Sequence, residues 1–323
     1  MPERAPTSET QGTAVPTPAK AMPPRIVPRG GILVGIGLVT VSFAAFALQD
    51  AIVKWVVADY SPWQVLLTRS AVIVMICLAI GRRRLVLHSA RSPIRNALLA
   101  RAVGLLLAWL SFYTAARSLQ LAELTTIYFA SPLLVAILAV PILGETVSRT
   151  RWASILVGFT GVLIACRPGD LSHTTAIGLA LLAAALWAGS MILIRQIALR
   201  EPTSVQMLTS SSAFVVMTSI AIPWTWKTPY LWDGIMMVGI GVLGAFAQYL
   251  LIEGIRRAPA SVVSPLEFTA LVWSFVLGYL IWADVPGVHV FGGAALILLS
   301  GAFIVIEEWR KARIATRAEL AAE

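Results

Sequence analysis

Long runs of apolar residues recur along this chain and limit what it can fold into more than any other feature. A hydrocarbon core about 30 Å thick requires roughly 20 apolar residues in an α-helix. Ten segments meet or approach that length, at residues 31–58, 61–80, 97–118, 122–143, 151–167, 175–199, 203–222, 233–256, 259–282 and 287–307. With 13% charged residues, against roughly 25% in soluble domains, the sequence predicts an all-α integral membrane protein with ten transmembrane helices.

The positions of the basic residues predict the orientation of these segments. Most of the 25 Lys and Arg residues fall near the chain ends and in the loops that follow even-numbered segments, whereas Arg117, Arg167 and Lys227 are the basic residues at the opposite ends. Because cytoplasmic loops carry the excess of Lys and Arg, both termini are expected in the cytoplasm. The protein itself is expected in the cytoplasmic (inner) membrane. Residues 1–28 are expected to form a disordered cytoplasmic tail, and residues 308–323 a charged, helix-prone one.

The two halves of the chain resemble each other. Gln64–Met75 (QVLLTRSAVIVM) matches Gln206–Met217 (QMLTSSSAFVVM) at an offset of 142 residues, and Gly161 matches Gly301 at 140. That spacing holds five segments. Because a unit with an odd number of crossings begins and ends on opposite sides of the membrane, two such units in one chain must enter it in opposite directions. The sequence therefore predicts a 5+5 inverted repeat, with units at 31–168 and 175–307, an architecture typical of secondary transporters.

Short motifs in both halves carry a family resemblance. They are Asp50-Ala-Ile-Val-Lys54, Arg69, Ser131-Pro132 and Leu143-Gly144-Glu145 in the first half, and Trp187-Ala-Gly-Ser190 and Ser264-Pro265-Leu-Glu267 in the second. Over residues 31–307 the chain resembles the drug/metabolite transporter superfamily, in its ten-helix branch with two EamA-type domains. The resemblance implies a central cavity lined by both halves. It also implies substrates such as amino acids, other small metabolites, nucleotide-linked sugars, vitamins or drugs.

Ionisable residues within apolar segments are the first candidates for a functional site. Asp50 and Lys54 are four residues apart and share one helix face, and Arg69 is expected at a similar depth on the next segment. One hypothesis is an ionic cluster that binds a charged substrate group or gates the outer side. The alternative is an Asp50–Arg69 pair that joins two helices, with Lys54 extending outward.

Glu267 is a second candidate, in a segment that Pro265 opens. A partly desolvated carboxylate there could carry a proton, and the alternative is a carboxylate hydrogen-bonded to Ser264 or Thr269. Coupling of transport to protons through Asp50 or Glu267 is therefore a hypothesis.

Further residues are candidates for the lining of a pathway. Aromatic and amide side chains suit a metabolite site, although packing against lipid or a neighbouring helix is an equal alternative for each; these residues are Trp109, Tyr113, Tyr128, Gln248 and Trp273. Pro132 and Pro265 can interrupt the helical hydrogen-bond ladder, which is tolerable in a membrane beside a cavity or a polar neighbour.

Several classes of function have no support in the sequence. Two Cys and three His residues argue against a disulfide framework or a Cys- or His-based metal site, and no phosphate loop or nucleophile–base motif is present. We predict no cofactor, no metal, no nucleic-acid partner and no enzymatic activity. The predicted function is secondary transport of a small polar metabolite, amino-acid-like or related, across the lipid bilayer by alternating access, with export favoured. The alternatives are an importer of a vitamin or nucleoside-like metabolite, and a membrane enzyme or scaffold; a monomer or a homodimer would suit the transporter.

Overall fold

The computed structural model describes residues 29–143, 149–166, 173–197, 201–257 and 264–320. The predicted tail at 1–28 and Glu145 lie outside the described residues. Within those ranges every regular element is helical: α1 Arg29–Val56, α2 Pro62–Arg91, α3 Arg95–Ala115, α4 Leu121–Tyr128, α5 Ala130–Leu143, α6 Arg149–Cys166, α7 Thr174–Ile197, α8 Thr203–Thr225, α9 Leu231–Arg257, α10 Thr269–Trp282 and α11 Val288–Leu320. A 3₁₀ turn, Ser264–Phe268, directly precedes α10.

The helices confirm an all-α membrane protein but not ten full-length spans. Seven are long and apolar enough to cross a membrane. The segments predicted at 151–167, 259–282 and 287–307 correspond to apolar helices of only 10–17 residues within the described ranges. The helix α11 itself continues through the whole of residues 288–307, and the first residues of the segment predicted at 259–282 lie outside the described ranges.

The outer surface of the helices is apolar, as expected for contact with lipid. Large hydrophobic side chains remain accessible on it, among them Ile80 at 81%, Val216 at 67% and Leu280 at 71%. A water-exposed surface of this kind would be unfavourable, because apolar patches of this extent mark membrane or protein contacts.

The fourth apolar segment is interrupted at Phe129, between α4 and α5. Pro132 lies three residues beyond the interruption and has no backbone N–H, so it cannot donate to the carbonyl of Tyr128. The aromatic ring of Phe129 stacks on that of Phe268 at a centroid distance of 5.4 Å. The interruption in the fourth segment therefore contacts the 3₁₀ turn that contains Pro265.

Helices from the two halves pack in reciprocal pairs. α1 packs chiefly against α9, α3 against α7, α2 against α8 and α6 against α11. We count α4 and α5 as one segment, and the 3₁₀ turn with α10 as another. The pairing of the first segment with the eighth is then matched by that of the third with the sixth. The other two pairings join segments that are themselves five apart.

The α6–α11 contact shows this reciprocity at the level of residues. A Cβ atom on Gly161 would lie 2.7 Å from the Gly293 carbonyl oxygen, so these backbones touch. About two helical turns away along α6, the Ser300 hydroxyl donates to the Ser154 carbonyl at 2.6 Å. Small residues allow this close approach, as is common between membrane helices.

Candidate substrate site

A small cavity lies where α1, α3, α4 and α7 meet. Its volume is about 40 Å³, enough for a few water molecules but well below the roughly 300–1,000 Å³ of pockets for small molecules. Asp50 is the charged residue of the lining, and the others are apolar or aromatic: Ala108, Trp109, Phe112, Tyr128 and Trp187. The site in this conformation is therefore too narrow for a metabolite.

Four of the lining residues form a closed ring of aromatic contacts, which we call the aromatic cage: Trp109, Phe112, Tyr128 and Trp187. Taken in that order around the ring and back to Trp109, the centroid distances are 6.3, 5.1, 6.4 and 6.1 Å. The corresponding interplanar angles are 79°, 74°, 52° and 78°. Neighbouring rings therefore meet edge to face or tilted rather than stacked, an arrangement that aromatic quadrupoles favour.

A group of polar side chains, which we call the polar cluster, adjoins the cage: Gln49, Asp50, Arg69 and Tyr113. Gln49 and Tyr113 are 0% exposed and Arg69 is 4% exposed. Among the described residues, no hydrogen-bond partner exists for either Gln49 amide atom, Asp50 Oδ1, Arg69 Nε or the Tyr113 hydroxyl. Buried polar atoms without partners are rare and costly, so their concentration here makes this the candidate functional site.

Arg69 connects the polar cluster to the cage. Its Cζ atom lies 4.5 Å from the centroid of the Trp109 ring, which is a cation–π contact. Gly244 of α9 makes room for this arrangement, because a Cβ atom there would lie 2.5 Å from Gln49 Oε1 and 3.0 Å from Arg69 Nε. The middle of α9 thus packs directly on the polar cluster.

The structure does not form the Asp50–Arg69 ion pair that the sequence offered as a structural alternative. Both residues are described, and no nitrogen of Arg69 lies within 4.0 Å of a carboxylate oxygen of Asp50. The guanidinium is held against Trp109 instead. Asp50 therefore faces the cavity without a bonded cation.

Lys54 does not join the predicted three-residue cluster. Its Nζ atom donates to the Leu119 carbonyl at 2.5 Å and lies 5.5 Å from the centroid of a Trp282 ring. Lys54 lies one helical turn beyond Asp50. Its side chain is directed to the α3–α4 connection, where the Leu119 carbonyl oxygen accepts a hydrogen bond from its ammonium group. Lys54 thus joins helix ends, rather than lining the cavity.

The remaining candidates are placed around the cavity rather than in it. Glu267 lies in the 3₁₀ turn within Coulombic range of Tyr128. The Thr269 hydroxyl donates to the Leu266 carbonyl at 2.6 Å rather than to Glu267. Trp273 is 39% exposed on α10, and Gln248 is partly buried on α9; neither lines the cavity.

Four of the residues at this site were not among the candidates from the sequence: Gln49, Ala108, Phe112 and Trp187. Gln49 is an uncharged polar residue inside an apolar run, a signal that is readable in the sequence. Trp187 belongs to a motif that carried the family resemblance, yet only the packing of α7 against α3 and α5 brings it to the cavity. Nothing in the sequence distinguishes Phe112, because it is an apolar residue within an apolar segment.

Polar contacts join the helix connections at one end of the bundle, and we call them the Tyr60 closure: Tyr60, Gln64, Lys227 and Asp233. The Tyr60 hydroxyl donates to Asp233 Oδ2 at 2.7 Å. The Gln64 amide donates to the Lys227 carbonyl at 2.7 Å and accepts from the Lys227 N–H at 3.0 Å. The bond to the Asp233 carboxylate raises the pKa of the Tyr60 phenol. These contacts hold the α1–α2 connection to the α8–α9 connection.

A second set of contacts, the Glu201 closure, joins connections at the opposite end: His88, Ser92, Glu201 and Gln206. Glu201 is 5% exposed. Its carboxylate accepts from the Ser92 hydroxyl at 2.5 Å and pairs with His88 Nε2 at 2.8 Å. Gln206 Nε2 donates to the Glu201 backbone carbonyl at 3.0 Å. The end of α2 is thus held to the start of α8.

The sequence matches one transporter family twice, over residues 33–167 and 174–306. The chain belongs to the EamA-like transporter family. The family resemblance seen in the motifs is therefore confirmed, and the chain is a multi-pass membrane protein of a transporter family. Helices long and apolar enough to cross a membrane imply a lipid bilayer around the protein.

Individual EamA-like relatives have named substrates. The chain is 28% identical over 185 residues to an S-adenosylmethionine uptake transporter of Rickettsia prowazekii, covering 57% of this chain and 63% of that one. It is 30% identical over 177 residues to a riboflavin transporter of Vibrio cholerae, covering 53% and 58%. It is 25% identical over 273 residues to a pseudopaline exporter of Pseudomonas aeruginosa, covering 82% and 94%. The matched region thus spans about three-fifths of the first two relatives.

A solved crystal structure of a protein shares the fold. Its TM-score is 0.63 at 18% sequence identity, and the match covers 87% of this chain and 98% of the other. Identity at this level shows the shared fold alone.

Proposed function

We propose that this EamA-like protein is a secondary transporter that moves a small polar metabolite by alternating access. The observation that carries the proposal is a cavity built by helices of both family segments, with unpartnered buried polar groups beside it and a polar closure at each end. Alternating access requires one central site and two closures that open in turn. The Tyr60 closure and the Glu201 closure are the natural candidates for the two gates.

Ten membrane crossings in a 5+5 inverted repeat are part of this proposal. The two family segments at 33–167 and 174–306 support it, as do the reciprocal helix pairings. So does the stacking of Phe129 on Phe268, which stand at corresponding places before α5 and α10. The segments at 151–167, 259–282 and 287–307 would provide the three crossings beyond the seven candidate spans.

The orientation and boundaries also belong to the proposal. We place both termini in the cytoplasm and the protein in the cytoplasmic membrane, on the strength of the basic residues in the loops after even-numbered segments. The repeat units would cover 31–168 and 175–307, between cytoplasmic tails at 1–28 and 308–323. Both a monomer and a homodimer suit this arrangement, since one chain can enclose the cavity.

The substrate is proposed to be amino-acid-like or a related polar metabolite. Relatives named for S-adenosylmethionine and pseudopaline support this class, and the riboflavin transporter favours the alternative of a vitamin. Export remains our preferred direction, although the names of these relatives include both uptake and export. Transport must therefore be measured in both directions.

Purified protein in liposomes tests the proposal directly. Radiolabelled amino acids, nucleosides, riboflavin and S-adenosylmethionine are offered on either side of the membrane, and at least one should move saturably, above the rate in protein-free liposomes. Asp50→Asn should reduce that flux about tenfold or more, because bonds to a charged group contribute about 1.5–3 kcal/mol. Asp59→Asn changes an exposed carboxylate near the end of α1 and serves as the matched control.

Two results would contradict the proposal. Absence of flux for every compound in both directions would remove the transport function. Equal losses of flux and of folded protein in Asp50→Asn would show instead that this residue has a structural role.

Proton coupling through Asp50 or Glu267 is tested with the same liposomes. An imposed pH gradient should drive accumulation of the transported compound by the unmodified protein. In Glu267→Gln, or in Asp50→Asn at its reduced flux, the gradient should lose its effect while exchange of unlabelled for labelled substrate remains measurable. An undiminished response in both variants would exclude these carboxylates as proton carriers.

A further inference from the structure

The cavity combines one carboxylate with a complete ring of aromatic side chains. Each aromatic ring carries negative charge density on its faces, and a cation near such a face is stabilised by about 0.5–2 kcal/mol. The four members of the aromatic cage surround the cavity, and Asp50 is the charged residue of its lining. The electrostatic potential of this lining therefore favours a positive charge.

The carboxylate of Asp50 is available to such a charge. Neither Arg69 nor Lys54 comes within 4.0 Å of it, and all three residues are described. Lys54 is bound to the Leu119 carbonyl. Arg69 lies against Trp109 and does not line the cavity. Lys54 is thus held away from Asp50, whereas Arg69 stays on Trp109 at the edge of the cage without bonding to the carboxylate.

We propose that the aromatic cage and Asp50 bind an alkylated cationic group of the substrate, an ammonium or a sulfonium. This inference rests on the proposed transport function and specifies its substrate class. An alkali or alkaline-earth ion does not fit, because such ions require a shell of several oxygen ligands. An anion does not fit either, since Arg69 stands outside the lining. Alkyl groups on nitrogen or sulfur spread the charge over a surface that aromatic rings can contact.

Trp187 gives the site a dependence on both halves of the protein. Trp109, Phe112 and Tyr128 come from α3 and α4, whereas Trp187 comes from α7 and closes the ring through contacts at 6.1 and 6.4 Å. At about 40 Å³ the cavity must widen to admit an alkylated cation. Trp109, Tyr128 and Trp187 are only partly buried, so their rings have room to move. Phe112 and the residues of the polar cluster other than Asp50 are buried.

Binding of matched probes to the full chain in lipid nanodiscs tests the proposal. The probes are choline, its dimethylsulfonium analogue, and 3,3-dimethylbutan-1-ol, in which a neutral carbon replaces the charged nitrogen. Both cations should bind at least about tenfold more tightly than the neutral isostere. Asp50→Asn and Trp187→Leu should remove most of this preference. The matched controls Asp59→Asn and Trp224→Leu, the latter changing a side chain that is 81% exposed, should leave it unchanged.

Three results would overturn the cation site. They are equal binding of the neutral isostere, a cation preference that persists in Asp50→Asn, and no binding of either cation to protein that retains its helix content and a single gel-filtration peak. Flux of a neutral or anionic metabolite in liposomes, independent of Asp50, would remove the cation site while leaving the transport function. Binding of a cation to the protein without flux of any cation would support the cation site and contradict the transport function.

Discussion

At the scale of single residues, the polar cluster shows how charged side chains are accommodated deep inside an apolar bundle. Arg69 is 4% exposed, and its guanidinium lies on the Trp109 ring instead of pairing with Asp50. A cation–π contact of this kind offsets part of the desolvation cost and leaves the carboxylate free for another partner. The arrangement depends on Gly244, which has no Cβ atom to occupy the space of Gln49 and Arg69.

Gly244→Ala should therefore impair substrate handling more than folding. The added Cβ would lie 2.5 Å from Gln49 Oε1 and 3.0 Å from Arg69 Nε. Both atoms are ends of flexible side chains that can shift. We expect a several-fold loss of flux in liposomes, with a melting temperature within a few degrees of the original.

Gly239→Ala is the control, because it lies in the same helix and a Cβ there would meet nothing within 4 Å. It should leave flux unchanged and stabilise the helix by up to about 1 kcal/mol. Similar flux in the two variants would show that the packing of α9 on the polar cluster is unimportant for transport.

At the scale of helices and their connections, the two closures occupy opposite ends of the bundle. The Tyr60 closure joins the α1–α2 and α8–α9 connections, and the Glu201 closure joins the α2–α3 and α7–α8 connections. The helices between the closures are apolar and packed against one another. The hydrogen bonds of the closures can be replaced by hydrogen bonds to water, so we expect them to break at a lower free-energy cost than the contacts between the helices. Opening one closure while the other remains bonded would expose the cavity to one side.

Tyr60→Phe and Glu201→Gln should loosen opposite ends of the molecule. Tyr60→Phe removes the donor to Asp233, and Glu201→Gln removes the charge that Ser92 and His88 contact. Hydrogen exchange should accelerate at least about tenfold in the connections of the affected closure, since bonds to charged groups contribute about 1.5–3 kcal/mol. Each variant is the control for the other, measured by mass spectrometry in nanodiscs.

If both variants accelerate exchange at both ends equally, the closures do not act separately. The proposal that they are the two gates would then fail, although the cavity and its lining would be unaffected.

At the scale of the whole molecule, the pairing of helices across the two halves is the main organising feature. Segments pair as first with eighth and third with sixth, and as second with seventh and fifth with tenth. This pairing supports the proposed inverted repeat, in which two similar units would face each other across a two-fold axis in the membrane plane. The cavity then lies between the units, because its aromatic cage takes three rings from one and Trp187 from the other.

Both ends of the chain should accordingly react from the same side of the membrane. Cysteines replace Glu3 and Glu323 one at a time in a chain whose own Cys77 and Cys166 are changed to Ala. A membrane-impermeant maleimide should label each in inside-out vesicles and neither in intact cells. Labelling of the two ends from opposite faces would exclude an even number of crossings and with it the inverted repeat.

The sequence by itself was sufficient for the class of protein and the family. Apolar runs, motifs and the repeat identify an EamA-like membrane protein, because these depend on local composition and order. Asp50, Trp109 and Tyr128 were also identifiable, since polar and aromatic residues are conspicuous in apolar segments and were found in the lining. Ten crossings in a 5+5 repeat stay a prediction, since seven candidate spans are found within the described residues.

The partners of each side chain were decided by the tertiary structure alone. Lys54 and Asp50 share a helix face, yet Lys54 bonds to the Leu119 carbonyl and Asp50 faces the cavity. The ring from Trp109 to Trp187 joins residues of three helices, and no local pattern records which faces turn toward one another. In an apolar segment nearly every face is apolar, so the rotation of each helix is set by packing against its neighbours rather than by its own sequence.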